Sequence, residues 1–99
     1  MNIYEMPGLP IKAELVSVLE ENERVRIERI ISTGQQSGWY DQDESEYVIL
    51  LEGRAQLAFD DDRMITLKKG DTLLIPAHQK HRVAYTSADP PCIWLCVFY

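Results

Sequence analysis

Three groups of residues in this chain are of types, and at spacings, that can do chemistry. Glu46 ends the polar stretch Gly34-Gln35-Gln36-Ser37-Gly38-Trp39-Tyr40-Asp41-Gln42-Asp43-Glu44-Ser45 and opens an apolar run. Its carboxylate therefore stands where a strand begins, while most of the other carboxylates read as solvated loop. His78 and His81 are the only two histidines, three apart in one short loop after Pro76. Two imidazoles that close are a better metal candidate than either alone. Arg29 lies inside Arg24–Ile31, in phase with Val25 and Ile27. It either follows a bulge or points inward and needs a carboxylate, from a structural ion pair or from an acidic substrate.

These residues need a scaffold, and the sequence describes one made of strands. In Arg24–Ile31, Val25 and Ile27 alternate with Arg24, Arg26 and Glu28, the period of a half-buried strand. Tyr47–Leu51 and Arg54–Phe59 flank the turn Glu52-Gly53. Asp60-Asp61-Asp62 leads into Met64–Leu67, and Lys68-Lys69-Gly70-Asp71 leads into Thr72–Ile75, which Pro76 closes. Arg82–Thr86, the loop Ser87–Pro91 and Cys92–Tyr99 complete the chain. Ile11–Asn22 has helical spacing at Ile11, Leu15, Val18 and Leu19. Among so many short strands we expect residues 13–20 to be a strand instead. The whole predicts a single all-β domain over residues 1–99, a sandwich or barrel.

Composition narrows the function. The 99 residues carry 10 Lys and Arg against 16 Asp and Glu, a net charge of −6. That excess argues against nucleic acid or anionic lipid as partner, since phosphate binding needs clustered basic residues. The start of the chain has neither the basic nor the apolar region of a signal peptide, and the longest apolar run, Cys92–Tyr99, is too short to span a membrane. A cytoplasmic protein is expected. On one strand Cys92 and Cys96 would be about 13 Å apart, out of disulfide reach. Reduced thiols fit best, with an intermolecular bond as the alternative; which cysteine faces the interior is open. Apolar on both faces, Cys92–Tyr99 is either central in a sheet or covered by a second subunit, so a homodimer is expected.

The two polar groups also form a pattern. Gly34, then Glu46 followed by six residues and Gly53, resembles the first motif of the cupin family. Gly70, Pro76, His78, His81 and Tyr85 resemble its second, with His78 where that motif has Gly and Tyr85 where it has Asn. The resemblance spans residues 34–85, motif 1 at about 34–53 and motif 2 at about 70–85. It implies a double-stranded β-helix, or jelly-roll barrel, usually dimeric. In metal-binding members two first-motif histidines, the Glu and the second-motif His hold one divalent ion. Here those two histidine positions fall on Trp39 and Asp41, or on Tyr40 and Gln42, so a three-His site is excluded.

What the resemblance leaves is a variant site. His81 and Glu46 map onto ligand positions, Asp41 or Gln42 is a possible third ligand, and His78 is a candidate through its chemistry alone. Such a set suits Fe, Mn, Ni or Zn. Trp39, Tyr40, Tyr85 and Arg29 are candidates for a substrate pocket. Three classes of function remain open: a small metal-dependent dioxygenase, isomerase or lyase acting on a small polar molecule; a ligand-binding module with or without metal; and a structural or interaction dimer.

Overall fold

The computed structural model describes all 99 residues. Eight strands follow one another without a helix: β1 Leu15–Glu21, β2 Arg26–Ser32, β3 Glu46–Glu52, β4 Arg54–Phe59, β5 Met64–Lys68, β6 Thr72–Ile75, β7 His81–Thr86 and β8 Cys92–Phe98. The helical option at Ile11–Asn22 is not taken. That stretch gives β1, which starts two residues later than expected and pairs antiparallel with β2. The other strands fall where alternation and turn residues put them, within two residues at either end.

The turns are set by backbone chemistry. Phe59 N–H donates to Arg63 at 2.9 Å across the aspartate turn, where Asp62 takes a φ of 68°. Between β3 and β4, Gly53 has a φ of 90°, and a Cβ there would lie 2.8 Å from the Pro91 carbonyl oxygen and 2.9 Å from Cys92 Cα. Only glycine meets both demands, so this hairpin is pressed directly onto the start of β8.

The strands form two antiparallel sheets, β1-β2-β8-β3-β6 and β5-β4-β7, the architecture of a double-stranded β-helix. β8 lies between β2 and β3, a central position in the larger sheet, with Ile93 buried and Leu95 and Val97 half-buried on its outer face. Its inner face, Cys92, Trp94, Cys96 and Phe98, packs with Val48 and Leu50 against Ala55, Leu57 and Phe59 of the smaller sheet. Each large side chain buried in this way contributes about 1.5–3 kcal/mol. Both cysteines are free and buried. No helix is long and apolar enough to cross a membrane.

The outer face of β2 is covered by the chain's own first residues. Arg29, almost fully buried, sends Nη1 to the Glu5 carbonyl at 2.8 Å and the Ile3 carbonyl at 3.4 Å. Gln35 Nε2 donates to the Ile11 carbonyl at 2.9 Å. The inward Arg29 expected from its phase is thus corrected. It shares a face with Ile27 and Ile31, but that face meets the N-terminal segment, and its partners are backbone carbonyls rather than a carboxylate.

Candidate functional site

Strand register builds the site. Arg26 pairs with Phe98, Phe98 with Glu46, and Glu46 with Ile75, forming one row across the larger sheet. The next row runs Glu28, Cys96, Val48, and the next Ile30, Trp94, Leu50. Side chains on one face recur every second residue, so all of these look into the space between the sheets. Leu57, His81 and Val83 come from the opposite side. The result is a cavity of about 230 Å³ whose polar lining is Glu14, Arg26, Glu28, Tyr40, Gln42, Glu46 and His81.

His81 enters because the loop before β3 is stitched to the start of β7. Tyr40 and His81 exchange backbone hydrogen bonds of 2.7 and 3.0 Å. His81 Nδ1 lies 2.9 Å from the Gln79 carbonyl, which only accepts, so Nδ1 carries a proton. Nε2 is left pointing at Glu46 Oε1, 3.7 Å away, an ion-pair distance rather than a hydrogen bond. Gln42 Nε2 donates to the same oxygen at 3.2 Å. The His81 and Glu46 side chains are only 4% and 11% exposed.

Burial alone would push the His81 pKa down; the Glu46 carboxylate and the Gln79 carbonyl outweigh it, and the pKa rises above the ordinary histidine value. Burial raises the Tyr40 phenol, as do the Glu14, Glu46 and Glu28 carboxylates, against an opposing hydrogen bond with Ser37. Tyr40 therefore stays a protonated donor. Cys96 is pushed well up, first by burial and then by Glu46, so it presents a thiol rather than a thiolate.

The structure divides the residues singled out in the sequence. Glu46, His81, Gln42 and Tyr40 come together in the cavity. His78 and Asp41 pair with each other at 2.9 Å on the exposed rim, where His78, at a φ of 64°, is 64% exposed and also lies 3.4 Å from Asp43. Trp39 lies outside the cavity under the Arg82 guanidinium, 5.5 Å from its ring. Tyr85 is exposed on β7, away from the cavity lining. Of the two alternatives for the first motif, the one that reaches the cavity is Tyr40 with Gln42.

Three charged cavity residues were not singled out, Glu14, Arg26 and Glu28, and Cys96, whose facing the sequence left open, lines the cavity with them. Arg26 and Glu28 are the polar half of β2's alternation, and that was their only signal. Arg26 is held on three sides, with Nε 2.8 Å from Glu28, Nη1 2.8 Å from Glu44 and the guanidinium carbon 4.2 Å from the centre of the Phe98 ring.

Eight strands in two antiparallel sheets, with polar side chains gathered between them, define the class of double-stranded β-helix barrels. The Cupin domain family matches residues 28–98, and the chain belongs to it. A protein from Ralstonia eutropha JMP134, provisionally named a mannose-6-phosphate isomerase, is 35% identical, with 99% of this chain and 94% of that one covered and a TM-score of 0.93. An RmlC-like cupin family protein from Methanocaldococcus jannaschii is similar in fold at 21% identity, covering 99% and 89% at a TM-score of 0.78. So is the polyketide cyclase RemF from Streptomyces resistomycificus at 18% identity, covering 88% and 65% at a TM-score of 0.76. No curated protein matches the chain.

Cupins often hold a metal ion, and the donors in this cavity do not fit one. Of the residues at the family's ligand positions only His81 and Glu46 are ligands a divalent ion would choose, and Glu14, Glu28 and Cys96 line the cavity without gathering round them. The Gln42 amide turns its N–H toward Glu46, Tyr40 keeps its proton, and His78 and Asp41 are on the rim. No group of three His, Cys, Asp or Glu side chains is placed to share an ion, whereas catalytic sites supply about three protein ligands.

Proposed function

We propose that this cupin binds one small polar molecule in its cavity and moves a proton on it through His81 and Glu46, without a resident metal ion. The observation that carries this reading is the pair itself, an imidazole and a carboxylate 3.7 Å apart, both buried and both lining a 230 Å³ cavity. Nδ1 is tied to the Gln79 carbonyl, so the mobile proton is the one on Nε2. Protonated His81 can give that proton to a ligand oxygen while Glu46 takes one from a neighbouring carbon or hydroxyl. Tyr40 and Gln42 supply donors to orient the oxygen. General acid and base groups placed in this way contribute about 10²–10⁴ each in rate.

The relative's name points to isomerisation of a phosphosugar. Proton transfer next to a carbonyl suits the pair here, but the phosphate does not suit the lining. A phosphate dianion would face Glu14, Glu28 and Glu46, and the one arginine, Arg26, is already engaged by Glu28 and Glu44.

The reading includes a homodimer, supported by exposed Leu15, Val16, Val18 and Leu19 on edge strand β1. Two unpaired buried cysteines support a reducing compartment such as the cytoplasm. A monomeric mass by light scattering at micromolar concentration removes the dimer.

The test has two arms. Protein purified without a metal-affinity tag is loaded with Fe(II), Mn(II), Ni(II) and Zn(II) and its metal content measured. Small aldoses, ketoses and hydroxyketones are then incubated with it in D2O and followed by NMR. We expect no stoichiometric metal, and deuterium incorporation that falls at least a hundredfold in Glu46→Gln and in His81→Asn. Stoichiometric metal lost in both variants overturns the metal-free reading. Absence of deuterium incorporation from every carbonyl compound leaves the second function class, a binding module without turnover.

A further inference from the structure

Residues 41–44 are held differently from the rest of the site. They lie between two pinned points: Tyr40, which exchanges backbone hydrogen bonds with His81, and Ser45, which exchanges them with Tyr99 at 2.8 and 3.0 Å. The segment between, Asp41-Gln42-Asp43-Glu44, has no apolar side chain. It makes one backbone hydrogen bond, from His78 N–H to the Gln42 carbonyl at 2.8 Å. Its other fastenings are polar side-chain contacts. The exposed His78 ring reaches Asp41 at 2.9 Å and Asp43 at 3.4 Å. Arg26 gives both terminal nitrogens to Glu44, at 2.8 and 3.3 Å. Gln42 alone turns inward, to Glu46. His78 also keeps a left-handed backbone that glycine would adopt without strain, and its ring is what spans the two aspartates. Strain of that kind persists where the surroundings hold the residue in place.

The same segment borders the mouth of the cavity. Tyr40 and Val16 are exposed and also line the cavity, so it reaches solvent between β1 and this loop. Arg26 lines it too, and its bond to Glu44 runs from β2 across to the loop. We propose that residues 41–44 are a flap over the mouth, hinged at Tyr40 and Ser45 and latched by Arg26 on one side and His78 on the other. Partly exposed ion pairs are weak fastenings, and a segment with no buried apolar contact opens at little cost. Opening lifts Gln42 from Glu46 and uncovers the cavity, and closing brings the amide back. The flap governs entry, whatever is done inside, so it stands apart from the proton transfer proposed above.

Cys96 reports entry, because it lines the cavity and is 2% exposed. Cys92, buried outside that lining with its thiol on the Arg54 carbonyl, is the control. Two neutral reagents of different size, methyl and benzyl methanethiosulfonate, turn a thiolate into a mixed disulfide and release methanesulfinate. The ratio of benzyl to methyl rates at one cysteine cancels its ionisation and leaves access. Rates are read on the full chain by mass spectrometry, with fragment ions separating Cys92 from Cys96. We expect the ratio at Cys96 to rise about two- to fivefold in Glu44→Gln and in His78→Gly, the effect of losing an exposed latch. In the wild type it rises between about 0.05 and 1 M NaCl, which shortens the reach of these charges to about 3 Å. A ratio left unchanged by either variant or by salt overturns the latched flap, as does a Cys96 that neither reagent reaches in any of these proteins. An equal rise at Cys92 marks loosening of the whole barrel and also overturns it. None of these outcomes bears on proton transfer by His81 and Glu46.

Discussion

Replacing Glu46 by Gln removes the charge opposite His81 and keeps the volume. At 3.7 Å and an effective dielectric constant near 20, the lost attraction is about 4 kcal/mol. Part of it is already consumed in burying the imidazolium, whose other neighbours are the Tyr40 and Phe59 rings, centred 5.6 and 6.3 Å away, and the Gln79 carbonyl. None of these carries an opposing charge. In the wild type His81 titrates above 6.5 because Glu46 outweighs burial. In Glu46→Gln burial is left to dominate, and the pKa falls through that value. The His81 imidazole is followed through the pH range by long-range nitrogen–proton NMR. Stability carries the same sign. A group whose pKa is raised by folding stabilises fully below its unfolded value and loses that contribution as pH rises through the folded one. The cost of Glu46→Gln is therefore largest near pH 6, about 3 kcal/mol, the lower end for breaking a buried pair because His81 can shed its proton. It shrinks toward zero by pH 9. Urea melts at the two pH values measure it. A wild-type His81 titrating below 6.5, or a variant cost that does not depend on pH, refutes the ion pair as the organising contact of the site.

Two further expectations concern the frame around it. Gly53→Ala must hold alanine at a φ of 90° with its methyl pressed on the Pro91 and Cys92 backbone, so we expect a loss of about 2–4 kcal/mol, read as a fall in the urea midpoint. Gly70→Ala, with a similar φ and open space around it, costs about 1 kcal/mol, and equal losses at the two positions refute the close-contact argument. Arg29→Ala removes the donor to the Ile3 and Glu5 carbonyls. Proteolysis within the first eleven residues is expected to quicken at a cost of about 1–3 kcal/mol, with His81 titrating as before, and a shifted titration would tie the N-terminal segment to the cavity.

How legible these features are in the sequence depends on what alternation encodes. It reports which residues share a face of a strand, and turn residues report where the strand stops; together they yield nearly every strand here. β1 was ambiguous because it is an exposed edge strand. Leu15, Val16, Val18 and Leu19 are all exposed, so it has no buried face to impose a period of two. Alternation does not report which face borders the cavity. At β2 the apolar residues Val25, just before the strand, and Ile27 suggest that the odd positions look inward. The N-terminal segment covers that face instead, and the polar even positions, Arg26 and Glu28, reach the cavity. His81 and Glu46 were legible because motif spacing places them. His78 was set apart from His81 by standing where the motif has Gly, and a left-handed turn at that position, with a φ of 64°, sends it to the rim.

The choice of Tyr40 and Gln42 over Trp39 and Asp41 has a chemical consequence. In metal-binding cupins those two positions supply imidazoles, and the ion they help to hold neutralises the buried glutamate. Here a phenol that keeps its proton and an amide that turns its N–H toward Glu46 stand in their place, and neither presents a charged donor to a dication. The Glu46 carboxylate is buried all the same, and a buried charge must be compensated or neutralised. His81 provides the compensation by keeping its Nε2 proton, and Gln42 adds one N–H. A proton thus stands where an ion would be expected, and unlike an ion it can leave with a ligand. When His81 gives that proton up, Glu46 loses its main source of positive charge. On the reading proposed above, proton transfer to a ligand is thus the consequence of one buried carboxylate that the chain compensates with a proton in place of an ion.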